Sequence, residues 1–255
     1  MGLALLRAVR DDVRFSLVGG TVRPGSGLNG QDAGVLAGVG PLGVPLFEEV
    51  EAAFAKVRPE VVIDFSHPDA TAQWADVCGP GGAALVVGTT GLSGAVRERL
   101  DRAARSTAVV LSPNMSVGIN VLFDVAAHLV RLLGEGWDVE VLELHHRHKR
   151  DAPSGTALRL AEVLARASGR DASVFRLARA GEVGPRAPTE IGLQTLRGGD
   201  VVGEHTVYFL SDGERIELTH RASSREQFAR GAVRAAAWAC AQEPGLYSMQ
   251  DVLGL

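Results

Sequence analysis

Val139-Glu-Val-Leu-Glu-Leu-His-His-Arg-His-Lys-Arg-Asp-Ala-Pro-Ser-Gly-Thr156 decides the reading of this chain. Its first six residues, a short run rich in branched apolar side chains, read as a strand. Three imidazoles (His145, His146, His148) and three fixed cations (Arg147, Lys149, Arg150) follow, and the stretch then turns through Ser154-Gly155-Thr156. Beyond it Leu160, Val163, Leu164 and Ala167 recur at the spacing of an amphipathic helix. The unit is a strand, a cationic loop and a helix start.

A helix N-terminus presents unpaired backbone N–H groups and the positive end of its dipole, so an anion on Ser154-Gly155-Thr156 needs no side-chain charge to hold it. Gly155 admits close approach, and Ser154 or Thr156 can cap the helix or donate a hydroxyl hydrogen bond. With His146 and the loop cations, the arrangement suits a small ligand bearing more than one carboxylate. His145 and Lys149 add groups able to move protons near neutral pH when their surroundings tune them. A charge run can equally be a solvated loop. Metal is not expected, because no Cys or carboxylate cluster sits at ligand spacing and Arg147 and Lys149 would repel a cation.

Outward from this stretch, the N-terminal half alternates helices and strands. A helix is expected over residues 1 to about 12, then a strand at Phe15–Val22, a glycine-rich loop, and strands at Val61–Phe65, Ala83–Val87 and Ala108–Leu111. Helices fall between these strands, and a long apolar one runs through Ile119, Phe123, Ala126 and Val130. Such alternation means a parallel, doubly wound sheet, whose ligands lie beyond the carboxyl ends of the strands. The polar loops there are Ser66–Asp69, Gly88-Thr89-Thr90-Gly91 and Ser112-Pro113-Asn114. Any strand-to-helix turn favours these residue types, so each is weak alone. After the central helix, Ile191–Arg197, Val201–Leu210 and Glu214–His220 read as strands in antiparallel succession, a different sheet and hence a second domain. A last helix, about Ser224 to Ala241, is expected to return to the first. The boundaries expected are 1–114 with 224–255, and 115–223.

The 255 residues carry a net charge of −4, with 46% hydrophobic and 22% charged side chains, so composition is that of a globular chain without a basic surface for nucleic acid or anionic membrane. Cys78 and Cys240 lie far apart and outside any CxxC pattern, which fits a reducing compartment, and no apolar run is long enough to span a bilayer. The cytoplasm is the expected location.

The stretch Glu143–Leu158, together with Gly88–Gly91, Ser112–Ser116, Arg197-Gly-Gly-Asp-Val-Val-Gly-Glu-His205 and Thr219-His-Arg-Ala-Ser-Ser224, resembles the dihydrodipicolinate reductases over nearly the whole chain. The resemblance implies a Rossmann-like α/β domain plus an α+β substrate and oligomerisation domain with a mixed or antiparallel sheet. It also implies NAD(P)H-dependent hydride transfer to a cyclic dicarboxylate in the diaminopimelate route to lysine, by a homotetramer. By resemblance His145 is a proton donor or acceptor and Lys149 a proton donor. His146, Gly155 and Thr156 are substrate-carboxylate contacts. Gly88, Thr89, Thr90, Ser112, Pro113, Asn114 and Met115 contact the cofactor, and Met1 is the remnant of its phosphate loop.

Two departures stand out. In that family an opening strand leads into a turn ending Gly-Arg-Met-Gly, of which Met1-Gly2 matches the last two residues, so the domain is expected to be N-terminally truncated and the natural chain longer. Where an acidic residue usually receives the adenosine ribose, Val22 is followed by Arg23, which can pair with a 2′-phosphate; NADPH is therefore expected over NADH. Rival readings are another two-domain nicotinamide oxidoreductase, such as a homoserine or aspartate-semialdehyde dehydrogenase relative, and a non-catalytic dicarboxylate-binding protein that has lost the cofactor.

Overall fold

A computed structural model describes residues 1–255. Along the chain run α1 (Gly2–Asp11), β1 (Gly20–Thr21), α2 (Ala33–Leu36), β2 (Leu46–Phe47), α3 (Val50–Val57), β3 (Val61–Asp64), α4 (Pro68–Gly81), β4 (Ala84–Val87), α5 (Gly94–Ala103) and β5 (Ala108–Leu111). They continue as α6 (Val117–Leu133), β6 (Asp138–His145), α7 (Gly155–Ala167), β7 (Phe175–Arg176), β8 (Ile191–Arg197), β9 (Gly203–Ser211), β10 (Glu214–Ala222), α8 (Glu226–Ala239), β11 (Gly245–Tyr247) and α9 (Met249–Leu253). Two compact units result, Met1–Val117 with Arg225–Leu255, and Gly118–Ser224. No helix is long and apolar enough to cross a membrane.

In the first unit β3, β4, β5 and β11 form a parallel sheet in the order β11-β5-β4-β3, and β1 pairs with β2 in a separate parallel ladder. The strand expected over Phe15–Val22 is confined to Gly20–Thr21, because only there does a partner, Leu46–Phe47, accept its ladder. β4, buried at all four positions, has apolar layers on both sides. Val86 packs with the alanine face of α8 (Ala229, Ala232, Ala236), whereas Leu85 and Val87 pack with Trp74 and Cys78 of α4 and Leu100 of α5. Gly231 lets α8 close in, since a Cβ there would lie 1.7 Å from the Met115 carbonyl oxygen.

The glycine-rich segment before β2 is held by one side chain. Asp32 caps α2 by accepting from the N–H groups of Gly34 and Val35, and also accepts from those of Leu42, Gly43 and Val44.

In the second unit the sheet order is β10-β9-β6-β8-β7. β9 and β10 form the expected hairpin, in register from Gly203↔Ala222 to Ser211↔Glu214. β8 and β9 do not form one: β6 inserts between them, antiparallel to β9 and parallel to β8. β8 and β9 thus run antiparallel to each other, as expected, but are not neighbours, and the sheet is mixed, one of the two forms expected. Central β6 alternates half-buried and buried side chains throughout, and its buried set begins Val139, Val141. These pack with Ile191 and Leu193 of β8, Val207 and Phe209 of β9, and the apolar faces of α6 and α7.

Candidate active site

The buried face of β6 stays buried but changes chemistry at its carboxyl end. After Val139 and Val141 the same parity places Glu143 and His145, both inward. The neighbours change together: on β8, Thr195 and Arg197 succeed Ile191 and Leu193, and on β9, His205 lies opposite Glu143. α7 begins at this polar end. Ser154, its N-cap, accepts from Ala157 N–H through Oγ and donates its own N–H to Glu143 Oε1 at 3.0 Å.

Glu143 is 1% exposed and surrounded by donors. Thr195 Oγ1 at 3.2 Å and Arg197 Nη2 at 2.8 Å also reach Oε1, while Arg197 Nη1 at 2.8 Å and His145 Nδ1 at 2.5 Å reach Oε2. Burial alone would raise its pKa. The hydrogen bonds from His145, Arg197 and Ser154 outweigh burial and bring it down to about 2.

His205, 4% exposed, packs edge-on to His145 with ring centroids 5.2 Å apart. Its Nε2 lies 3.3 Å from Ser154 Oγ, and its Nδ1 is buried without a partner. Burial, reinforced by the neighbouring His145, lowers its pKa to about 3, so the ring is neutral near pH 7. Gly203 gives His145 its space: a Cβ there would fall 2.9 Å from Nε2.

Strand parity separates the histidines that sequence proximity groups together. His145 points into the unit, His146 is half-buried, and His148 is exposed. The loop behind them is pinned to the β8–β9 connection by His146 N–H to Val201 C=O and Arg147 N–H to Gly199 C=O. Lys149 is held by Asp151, Nζ to Oδ1 2.9 Å. Gly155 is exposed, and a Cβ there would meet nothing, so the start of α7 is open to a ligand. No group of three or more His, Cys, Asp or Glu side chains is placed to share a metal ion.

In the first unit the expected cofactor residues divide into structural and open groups. Gly88 is required by packing, since its Cβ would strike the Phe65 ring at 2.3 Å. Thr89 is buried, and its hydroxyl donates to Asp64 Oδ2 at 2.9 Å while accepting from Ser66 N–H. Asp64 also receives the Ser66 and Thr71 hydroxyls, so a buried carboxylate sets the shape of the β3 and β4 turns. Thr90 and Pro113 are exposed. Ser112 Oγ donates to Asn114 C=O, Asn114 Oδ1 accepts from Ser116 N–H, and the Met115 side chain lies fully in the core. Met1 precedes α1 with no side chain capping that helix, and Gly2 has open space at its Cβ. A helix start without a side-chain cap is the kind of end that can receive a phosphate. Arg23 is exposed just after β1.

The family models "Dihydrodipicolinate reductase, N-terminus" and "Dihydrodipicolinate reductase, C-terminus" match residues 1–115 and 118–253. The 4-hydroxy-tetrahydrodipicolinate reductase of Myxococcus xanthus is 54% identical over 254 residues, spanning 100% of this chain and 94% of that relative. The enzyme of the same name from Syntrophotalea carbinolica is 47% identical, spanning 100% and 95%. Among solved structures, a dipicolinate-bound dihydrodipicolinate reductase from Paenisporosarcina shares the fold, with TM-score 0.76 and 19% identity over 97% of this chain and 93% of that one. An amine dehydrogenase from Mycobacterium smegmatis shares it more distantly, with TM-score 0.60 and 13% identity over 96% and 91%.

The neutral, buried His205 makes acid costly to the fold. Between its usual value of 6.5 and its folded value of about 3 the unfolded chain binds a proton that the folded chain does not. Stability therefore falls with pH through that window, by about 1.4 kcal/mol per unit for one proton. Urea unfolding between neutral pH and about pH 4 is expected to show a shallower decline in His205→Gln than in the parent; equal slopes would remove His205 as the cause.

Proposed function

Because the chain belongs to the dihydrodipicolinate reductase family, and so is a reductase of a cyclic dicarboxylate, we propose that His145 and Lys149 carry its proton transfers and the start of α7 binds the substrate. The single observation behind this reading is the convergence of a buried histidine, a cationic loop and an open helix N-terminus at the carboxyl end of β6. A reduced nicotinamide, when bound, supplies the hydride.

The N–H groups of Gly155 and Thr156 and the imidazole of His146 take one substrate carboxylate, and the positive end of the α7 dipole strengthens that contact. Fixing a rigid ring by its carboxylates confines it to one orientation, and proximity and orientation can supply a large part of the rate, about 7–11 kcal/mol in favourable cases. Hydride addition leaves an electron pair that must take up a proton. That one proton completes the reduction: Lys149, aimed by Asp151, is its donor, and His145 acts as proton donor or acceptor along the route that delivers it.

The cofactor lies along the carboxyl ends of β4 and β5 and the start of α1, against Met1, Gly88, Thr90, Pro113 and the backbone of Ser112–Met115. Thr89 serves by holding the turn. Exposed Arg23 pairs with a 2′-phosphate and favours NADPH over NADH. The outer face of the second unit's sheet, with Leu196 49% exposed beside half-buried Leu142, Leu144, Tyr208 and Leu210, is the assembly surface of a homotetramer. The free thiols Cys78 and Cys240 suit the cytoplasm.

Lys149→Ala is expected to lower kcat about 10²–10⁴-fold with the unfolding transition unchanged; steady-state kinetics with kcat within threefold of the parent would take Lys149 out of the chemistry. Titration with each nucleotide should give tighter binding of NADPH, and equal or tighter NADH binding would refute the role of Arg23.

A further inference from the structure

We infer that Glu143 is a positioning residue that fixes the His145 proton on Nδ1, so that Nε2 is the nitrogen exchanging protons with substrate; this rests on the proton-transfer role proposed for His145. An ionised carboxylate has only lone pairs to offer, so a ring nitrogen 2.5 Å from it carries the hydrogen. The other donors around Glu143, two from Arg197 and one each from Ser154 and Thr195, leave it no reason to hold a proton of its own. Its folded value of about 2 agrees.

Arg197 forks onto both carboxylate oxygens at 2.8 Å and offsets most of the anion's field at His145. What Glu143 supplies is therefore orientation and tautomer more than charge. The ring is further confined by His205 on its edge, and Gly203 leaves room beside Nε2. The same carboxylate also receives the Ser154 N–H, tying the proton-transfer group to the first turn of α7, where the substrate carboxylate is proposed to sit.

Glutamine at this position separates these roles. Oε1 accepts three donors and Oε2 two, so the amide oxygen of a glutamine settles at the Oε1 place and its NH2 faces Nδ1. The neutral ring must then accept at Nδ1 and carry its proton on Nε2. The corresponding tautomer error in a serine protease triad lowers kcat by about 10⁴. The His145–Glu143 pair here is partly braced by packing, and a loss of about 10²–10³-fold is expected.

The test compares the parent, Glu143→Gln, His145→Gln and the double variant, with kcat and KM measured for each, and reads the imidazole tautomer of the parent and Glu143→Gln by ¹⁵N NMR at a pH where the ring is neutral. The expected result is a kcat loss in Glu143→Gln with KM within about threefold, no further loss in the double variant, and the His145 proton moved from Nδ1 to Nε2. A merely structural role would give losses that multiply in the double variant and an unchanged tautomer, and that outcome overturns the inference alone. His145→Gln with near-parental kcat overturns the proton-transfer reading and the inference with it. Should Glu143→Gln fail to fold, Glu143→Gln/Arg197→Gln replaces the ion pair with neutral amides, and the same tautomer and kcat criteria apply to it.

Discussion

One buried carboxylate organises the carboxyl end of β6 in the second unit. Glu143 draws together β6, the β8 side chains Thr195 and Arg197, and the N-cap of α7. An anion this deep persists only when its lone pairs are all used, and removing one partner of such a pair costs about 3–5 kcal/mol. Each donor is consequently held in place by the others. The start of α7 and the His145 ring are therefore anchored at the same carboxylate.

Charge is graded around that point. Arg197 neutralises Glu143 inside the unit, His205 stays uncharged beside His145, and the surplus cations of the Arg147–Arg150 loop sit at or near the surface, with Asp151 taking Lys149. Buried positions are thus close to electrically balanced, while the accessible ones favour an anionic ligand. The first unit repeats the device: Asp64 collects three hydroxyls and gives the Gly88–Thr90 turn its form.

Much of this was legible in the residues. The strand read in Val139–Leu144, the apolar stripe of α6, and the Ser154-Gly155-Thr156 helix start all correspond to observed elements within a residue or two. Glu143, Arg197 and His205 were not picked out as site residues, because their significance depends on register. Read singly, each is a polar residue in a strand; read in parity with Val141, Leu193 and Val207, all three continue a core-facing row at one end of the sheet. The opposite directions of β8 and β9 were legible, but not that β6 separates them, because consecutive strands usually pair. Thr89 and Met115 were expected to touch cofactor on resemblance, yet their side chains are committed to Asp64 and to the core, which only packing could reveal.

The claim that the carboxyl end of β6 and the start of α7 form a dicarboxylate site is open to one direct measurement: titration of the ¹⁵N-labelled protein with dipicolinate, using picolinate as the monocarboxylate control. Saturable shifts centred on the amides of Ser154, Gly155 and Thr156 and the His146 ring, with markedly weaker binding of picolinate, are predicted. No saturable shift, or shifts centred elsewhere in the chain, would contradict the account.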